Sequence, residues 1–92
     1  MSMKNAYVAK MEAQLKEWSG ELSTFKARAE KAVAEGRIGY EQKLTASKAQ
    51  HDVAAKKLEE LKAAGESQWE ALKAGVESAW GQLKTSMDSA RN

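Results

Sequence analysis

The sequence predicts an all-α protein: an antiparallel, coiled-coil-like bundle or hairpin of two or three helices. Apolar residues recur at alternating steps of three and four, charged residues of opposite sign often stand four apart, and no stretch alternates with a period of two. The chain has 92 residues and no proline, which fits one small helical domain over residues 1–92. Since a chain this short buries only about 60–65% of its unfolded surface, self-association is expected.

The first helix is predicted at residues 4–35. Its apolar stripe follows a seven-residue repeat, and the stripe consists of Val8, Met11, Leu15, Trp18, Leu22, Phe25, Ala29 and Ala32. Large side chains at this spacing are typical of a buried face, so Trp18 and Phe25 are interpreted as core residues. Charged neighbours such as Glu12 and Lys16 support the helix.

The second helix is predicted at residues 40–64. The stripe resumes there at Tyr40, Leu44, Ser47, His51, Ala54, Leu58 and Leu61. Its middle is small or polar, so this part of the seam is predicted to be weak. His51 is interpreted as a polar residue that fixes the register between helices, with a pH-sensitive seam or a metal site as alternatives.

The third helix is predicted at residues 67–90 and contains an internal repeat. Residues 69–79 are followed by a related unit at residues 80–90, and an eleven-residue period corresponds to a nearly straight helix. One flank of this helix is small and uncharged, which suits close packing against a neighbour. Its apolar face is therefore predicted to be buried in a bundle or oligomer.

Two breaks between these helices are predicted from glycines. Gly36 and Gly39 favour a turn or kink at residues 36–39, although the spacing of Arg37 and Glu41 favours a continuous helix. A second break is predicted at residues 63–70. There Gly65 suits a left-handed helix end, and Ser67 with Glu70 has the spacing of a capping box. Two breaks give a three-helix bundle, and one break gives an unequal hairpin that dimerises.

The composition argues against several functional classes. Lys and Arg number 15 and Asp and Glu 13, a net charge of +2 without the basic excess of a nucleic-acid-binding domain. The chain has one histidine and no cysteine, and no motif supplies a nucleophile or a phosphate loop. No enzyme activity, cofactor, bound metal or nucleic-acid partner is expected. No signal-peptide or transmembrane pattern is visible, so we expect a soluble, cytoplasmic protein.

The predicted functional feature is the apolar seam, through which the chain is expected to self-associate or to receive another helical protein. The seam residues are Leu15, Trp18, Leu22, Phe25, Leu58, Leu61, Trp69, Leu72, Val76, Trp80 and Leu83. The alternative is a peripheral membrane protein. In that case the apolar face of residues 69–90 lies in the interface of a lipid bilayer, with lysines at its margin.

Three segments carry a resemblance to a known family. Residues 13–18 (AQLKEW), 58–62 (LEELK) and above all 69–80 (WEALKAGVESAW) resemble short bacterial coiled-coil proteins, often named general stress-response proteins of the type first described in cyanobacteria. The resemblance covers nearly the whole chain, but Gly36 and Gly39 depart from it. It implies a bacterial cytoplasmic protein without catalytic residues or cofactor.

Overall fold

The computed structural model describes residues 3–32 and 34–91. These residues form three helices: α1 at Met3–Lys31, α2 at Ala34–Ala63 and α3 at Trp69–Arg91. The described residues contain no strand. The prediction of an all-α helical bundle is confirmed, in its three-helix form.

The helices pack as an up-down-up bundle that measures 51 × 19 × 18 Å. Lys4 at the start of α1 donates a hydrogen bond from Nζ to the Ala64 carbonyl, just after α2, over 2.6 Å, so α1 and α2 run antiparallel. Ser47 in the first half of α2 contacts Ser86 near the end of α3, so these helices are also antiparallel. α2 packs closely against both neighbours, whereas α1 and α3 approach each other at few backbone positions.

The first break lies earlier than predicted. The prediction of a turn at residues 36–39 is wrong, because Gly36 and Gly39 lie inside α2, and α1 ends at Lys31. Because α1 ends at Lys31, α1 and α2 are nearly equal in length, at 29 and 30 residues. This equality aligns the Lys4 and Ala64 ends of the hairpin. The predicted helix bounds 4–35 and 40–64 shift accordingly, and Val33 lies outside the described residues.

The second break lies where it was predicted but has different geometry. α3 begins at Trp69 rather than at residue 67, and no described glycine has a positive φ, so Gly65 does not form a left-handed helix end. The Gly65 carbonyl instead accepts backbone hydrogen bonds from Gln68 and Trp69 at 2.9 and 3.1 Å. These bonds close the turn, which leaves Ser67 outside α3 and removes the predicted capping box.

The core runs the length of the bundle between the three apolar stripes. Its members include Val8, Trp18 and Phe25 of α1, Ala54, Leu58 and Leu61 of α2, and Val76, Trp80, Leu83 and Met87 of α3. The small residues in the middle of the α2 stripe are fully buried, with Ser47 and Ala54 both 0% exposed. The segment predicted to be a weak seam is thus a close approach of α2 to its neighbours, because small buried side chains let helix backbones come near each other.

Residues 36–43 of α2 contribute nothing to this core. Every residue from Gly36 to Lys43 is exposed, including Tyr40 at 37%, so the assignment of Tyr40 to the buried stripe is wrong. The Arg37 Nε donates to the Glu41 Oε1 over 2.9 Å on this surface. An exposed pair of this kind adds little stability. This part of α2 therefore depends mainly on its own backbone hydrogen bonds.

Candidate functional site: the inner seam and the outer face of α2

Most of the predicted seam residues lie in the core of a single chain. The buried ones are Trp18, Phe25, Leu58, Leu61, Trp69, Val76, Trp80 and Leu83. Leu15 and Leu22 are half-buried and pack against the same cluster. The seam residues thus pack against other helices of the same chain.

Leu72 is the exception, since it is 38% exposed and does not belong to the core. At 100° per residue it lies about 60° from Trp69, at the edge of the apolar face of α3. Ala79 and Ala90 occupy the same edge and are buried. A leucine extends farther from the backbone than an alanine does, and at the first turn of α3 part of it reaches solvent. The assignment of Leu72 to the buried seam is therefore wrong.

Aromatic pairs join α1 to α3. Trp18 and Trp80 have ring centroids 6.4 Å apart with an interplanar angle of 49°, and Tyr7 and Trp69 have centroids 5.8 Å apart at 39°. Tilted rings at these distances attract each other beyond the burial of their area. Because the backbones of α1 and α3 are close at few points, these side chains fill the space between them.

One turn of α2 bonds to the backbone of both neighbouring helices. The Ser47 Oγ donates to the Ser86 carbonyl of α3 over 3.3 Å, and the His51 Nε2 lies 3.2 Å from the Leu15 carbonyl of α1. A carbonyl only accepts, so His51 donates from Nε2. This contact is in keeping with a histidine that fixes helix register. Among the described residues, no three His, Asp or Glu side chains are grouped so as to hold a metal ion.

Tyr7 forms a polar cluster at the other end of the α1–α3 contact. The Lys73 Nζ lies 5.2 Å from the Tyr7 ring centroid and 4.0 Å from the Glu77 Oε1. The Tyr7 hydroxyl oxygen is buried and makes no well-formed hydrogen bond. Burial raises the pKa of Tyr7 above its ordinary value of 10.0, and the nearby Glu77 carboxylate raises it further. The phenol therefore stays neutral and acts as part of the apolar packing around Trp69.

A shallow groove lies between α1 and α2 on the side away from α3. It is lined by Ser19, Leu22, Ser23, Lys26, Leu44, Thr45, Lys48, His51 and Asp52. Leu22 and Leu44 are half-buried at its floor, and its lysines lie on exposed helix surface. The charges of Lys26 and Lys48 are partly offset by Asp52, so the groove lacks a concentrated field that would select one ligand.

The outer face of α2 carries no charged side chain between Ile38 and Val53. It consists of exposed residues on the side opposite the core: Ile38, Gln42, Thr45, Ala46, Ala49 and Val53. At 100° per residue these positions lie within an arc of about 100°. Ile38 is 61% exposed and Val53 46% exposed. Lys56 ends the face.

The apolar face of α3 is covered by the rest of the bundle. Trp69, Val76, Trp80 and Met87 are all buried, so contact with a bilayer would require α3 to leave α1 and α2. None of the helices in the described part of the chain has the length and hydropathy needed to span a membrane.

Comparisons of the sequence with models of protein families and with curated proteins, and of the structure with solved structures, give no match.

Proposed function

We propose that this chain is a non-enzymatic structural and interaction protein that acts by self-association of its helical bundle. One observation carries the proposal. α2 has an apolar inner face that holds the bundle together and an uncharged outer face on which Ile38 and Val53 are 61% and 46% exposed. Uncharged side chains that share one exposed helix face form a surface on which another helix can pack.

This proposal assigns different roles to the two faces. The seam residues serve the fold of each chain, because burial of Trp80 or Leu61 against other helices leaves neither available to a partner. Association through the seam itself would require helices to exchange between copies. The surface that remains accessible to a partner without unfolding is the outside of the bundle. In keeping with its resemblance to bacterial stress-response proteins, we place the chain in the bacterial cytoplasm during stress.

Sedimentation equilibrium of the full chain from micromolar to millimolar concentration tests this function. The average mass is expected to rise above 10.1 kDa as the concentration increases, with no change in helical content by circular dichroism. A mass that stays at one chain over the whole range would contradict self-association. It would leave a different helical protein as the partner.

Peripheral lipid binding by residues 69–90 is the second candidate. The observation that supports it is the exposure of Leu72 on the first turn of α3, next to Lys73. An apolar residue beside a lysine is typical of the edge of a helix that lies in a membrane interface. Co-sedimentation with small and large liposomes separates the two functions. Self-association as the main function predicts no binding to either kind of liposome, whereas binding with a shift of tryptophan emission would support release of α3 into the bilayer.

A further inference from the structure

The charges beside the outer face of α2 alternate in sign along one flank. From the start of the helix, this flank carries Arg37, Glu41, Lys48 and Asp52, on the side that faces the α1–α2 groove. The opposite flank presents Gly39 and Gln50, and Lys43 is its only charge between Ile38 and Val53. The two flanks therefore differ in what they offer to a helix laid on the outer face.

The positions of these charges are symmetric about the midpoint between Leu44 and Thr45. Glu41 lies as many residues before this point as Lys48 lies after it. Arg37 and Asp52 are also equally far from this point, on either side and at a greater distance. When two identical helices pair antiparallel across a two-fold axis, each flank meets the same flank of the other copy. Such pairing sets Glu41 opposite Lys48 of the second copy and Arg37 opposite Asp52 of the second copy, in addition to the ion pair that Arg37 and Glu41 form within one helix. The two-fold axis then repeats both pairs.

The uncharged residues of the face are also symmetric, about the midpoint between Thr45 and Ala46, which lies one residue, or about 1.5 Å, farther along the helix. Ile38 comes to lie beside Val53 of the second copy, Gln42 beside Ala49, and Thr45 and Ala46 meet their counterparts near the axis. Ala46 and Ala49 have short side chains, which let two helix backbones approach closely. A parallel arrangement lacks this match, because it sets the charged flank against the flank of Gly39 and Gln50.

From this double symmetry we infer that the partner on the outer face of α2 is a second copy of this chain, paired antiparallel through residues 37–53. The inference rests on the proposed self-association and names its surface. The contact runs along about 24 Å of helix at 1.5 Å per residue. One helix pair of this length buries less than the roughly 1,200 Å² of a stable interface, so the dimer is weak and reversible.

Two charge reversals and their mixture test the pairing. In Glu41→Lys, position 41 repels Lys48 of the second copy. In Lys48→Glu, position 48 repels Glu41 of the second copy. Each variant alone is expected to raise the dimer dissociation constant about tenfold or more, since two attractive pairs become repulsive. An equimolar mixture restores both attractions and is expected to dimerise like the wild type. Glu17→Lys, the same charge change on exposed α1, is the control and should dimerise normally.

Sedimentation of the full-length variants gives distinct outcomes. Loss of dimer in each variant and its return in the mixture supports the inference, with circular dichroism showing unchanged helicity. If the wild type associates and both variants associate equally well, or if the mixture stays monomeric, the outer face of α2 is not the interface, although self-association stands. If the wild type never associates, both the inference and the proposed function fail.

Discussion

Trp18 of α1 and Trp80 of α3 lie ring against ring, with centroids 6.4 Å apart and planes inclined by 49°. Both side chains are buried, although the backbones of their helices approach each other at few positions. The contact between these two helices is thus made largely by aromatic side chains. It closes the third side of a bundle whose other two sides are the close contacts of α2.

Replacing Trp80 should therefore have a large effect on stability. Trp80→Ala opens a cavity between α1 and α3 and is expected to cost about 3–5 kcal/mol, a large share of the total for a small domain. Denaturation by guanidinium, followed by circular dichroism, measures this loss.

Leu72→Ala is the matched control in the same helix. Since Leu72 is 38% exposed, its truncation should cost less than about 1 kcal/mol. Equal losses for the two variants would show that α3 does not pack as described.

The seam of α1 could be predicted from the sequence because its heptads place large apolar residues on one stripe. Trp18, Phe25 and Ala29 are buried as this periodicity indicates. In α3, periodicity alone did not distinguish Leu72 from Val76, because both lie on the apolar side of a helical wheel. The difference depends on how far α1 and α2 extend around α3, which only the packed bundle determines.

The middle of the α2 seam provides a second prediction. Ser47 is 0% exposed at the close contact with α3, so Ser47→Leu should destabilise the protein by about 1–3 kcal/mol through overpacking. The change makes the stripe more apolar, so a seam limited by hydrophobicity would instead be stabilised.

Thermal unfolding distinguishes these outcomes. Thr45→Leu on the exposed outer face serves as the comparison for the propensity of leucine, measured at a concentration where the chain is monomeric. A higher melting temperature for Ser47→Leu than for Thr45→Leu would contradict the close approach of α2 and α3.

Replacing a glycine inside a helix is expected to raise the free energy of unfolding. Gly39 lies in α2, and a Cβ added there would meet no atom within 4 Å. Gly39→Ala should therefore stabilise the protein by about 0.5–1 kcal/mol through better helix propensity. Chemical denaturation provides the value. A destabilised variant would mean that α2 does not continue through residue 39, and that the chain turns at residues 36–39 after all.

The position of the first turn could not be predicted, for a physical reason. Two glycines are a strong local signal, but a local penalty of about 2 kcal/mol is outweighed when a continuous α2 matches the length of α1. The basic residues Arg28 and Lys31 in the last turn of α1 are a signal for the end of that helix. They are weaker than the glycines, and similar basic residues occur throughout the chain.

The surface proposed for association was only partly visible in the sequence. Ile38 does not belong to the apolar stripe, and the structure places it on the outer face of a helix. Once α2 is known to begin at Ala34, Ile38 and Val53 fall on one face. The helix bounds were therefore the missing information.

Tyr7 should titrate at high pH in the folded protein. The chain has two tyrosines, so the Tyr40→Phe variant reports on Tyr7 alone by ultraviolet absorbance. Burial, and then the Glu77 carboxylate, raise the pKa of Tyr7 above 10.0, so the absorbance midpoint is expected above that pH. A midpoint at or below 10 would show that the phenol is exposed to solvent.

The sign of the linked stability change follows from this shift. A raised pKa in the folded state means that Tyr7 contributes its full stability below pH 10.0 and loses it as the pH rises through the folded value. Tyr7→Phe has no phenol to ionise, so its stability should fall less steeply above pH 10.0 than that of the wild type.

The most direct test is whether each molecule buries its apolar seam by itself. Guanidinium unfolding of the dilute chain measures this, followed in parallel by tryptophan emission and by circular dichroism. All three tryptophans are buried, so the expected result is blue-shifted emission that is lost together with helicity in one transition, at a midpoint independent of protein concentration. Tryptophan emission like that of a solvent-exposed indole, or helicity that disappears on dilution, would show that the apolar seam is buried only by contact with other molecules.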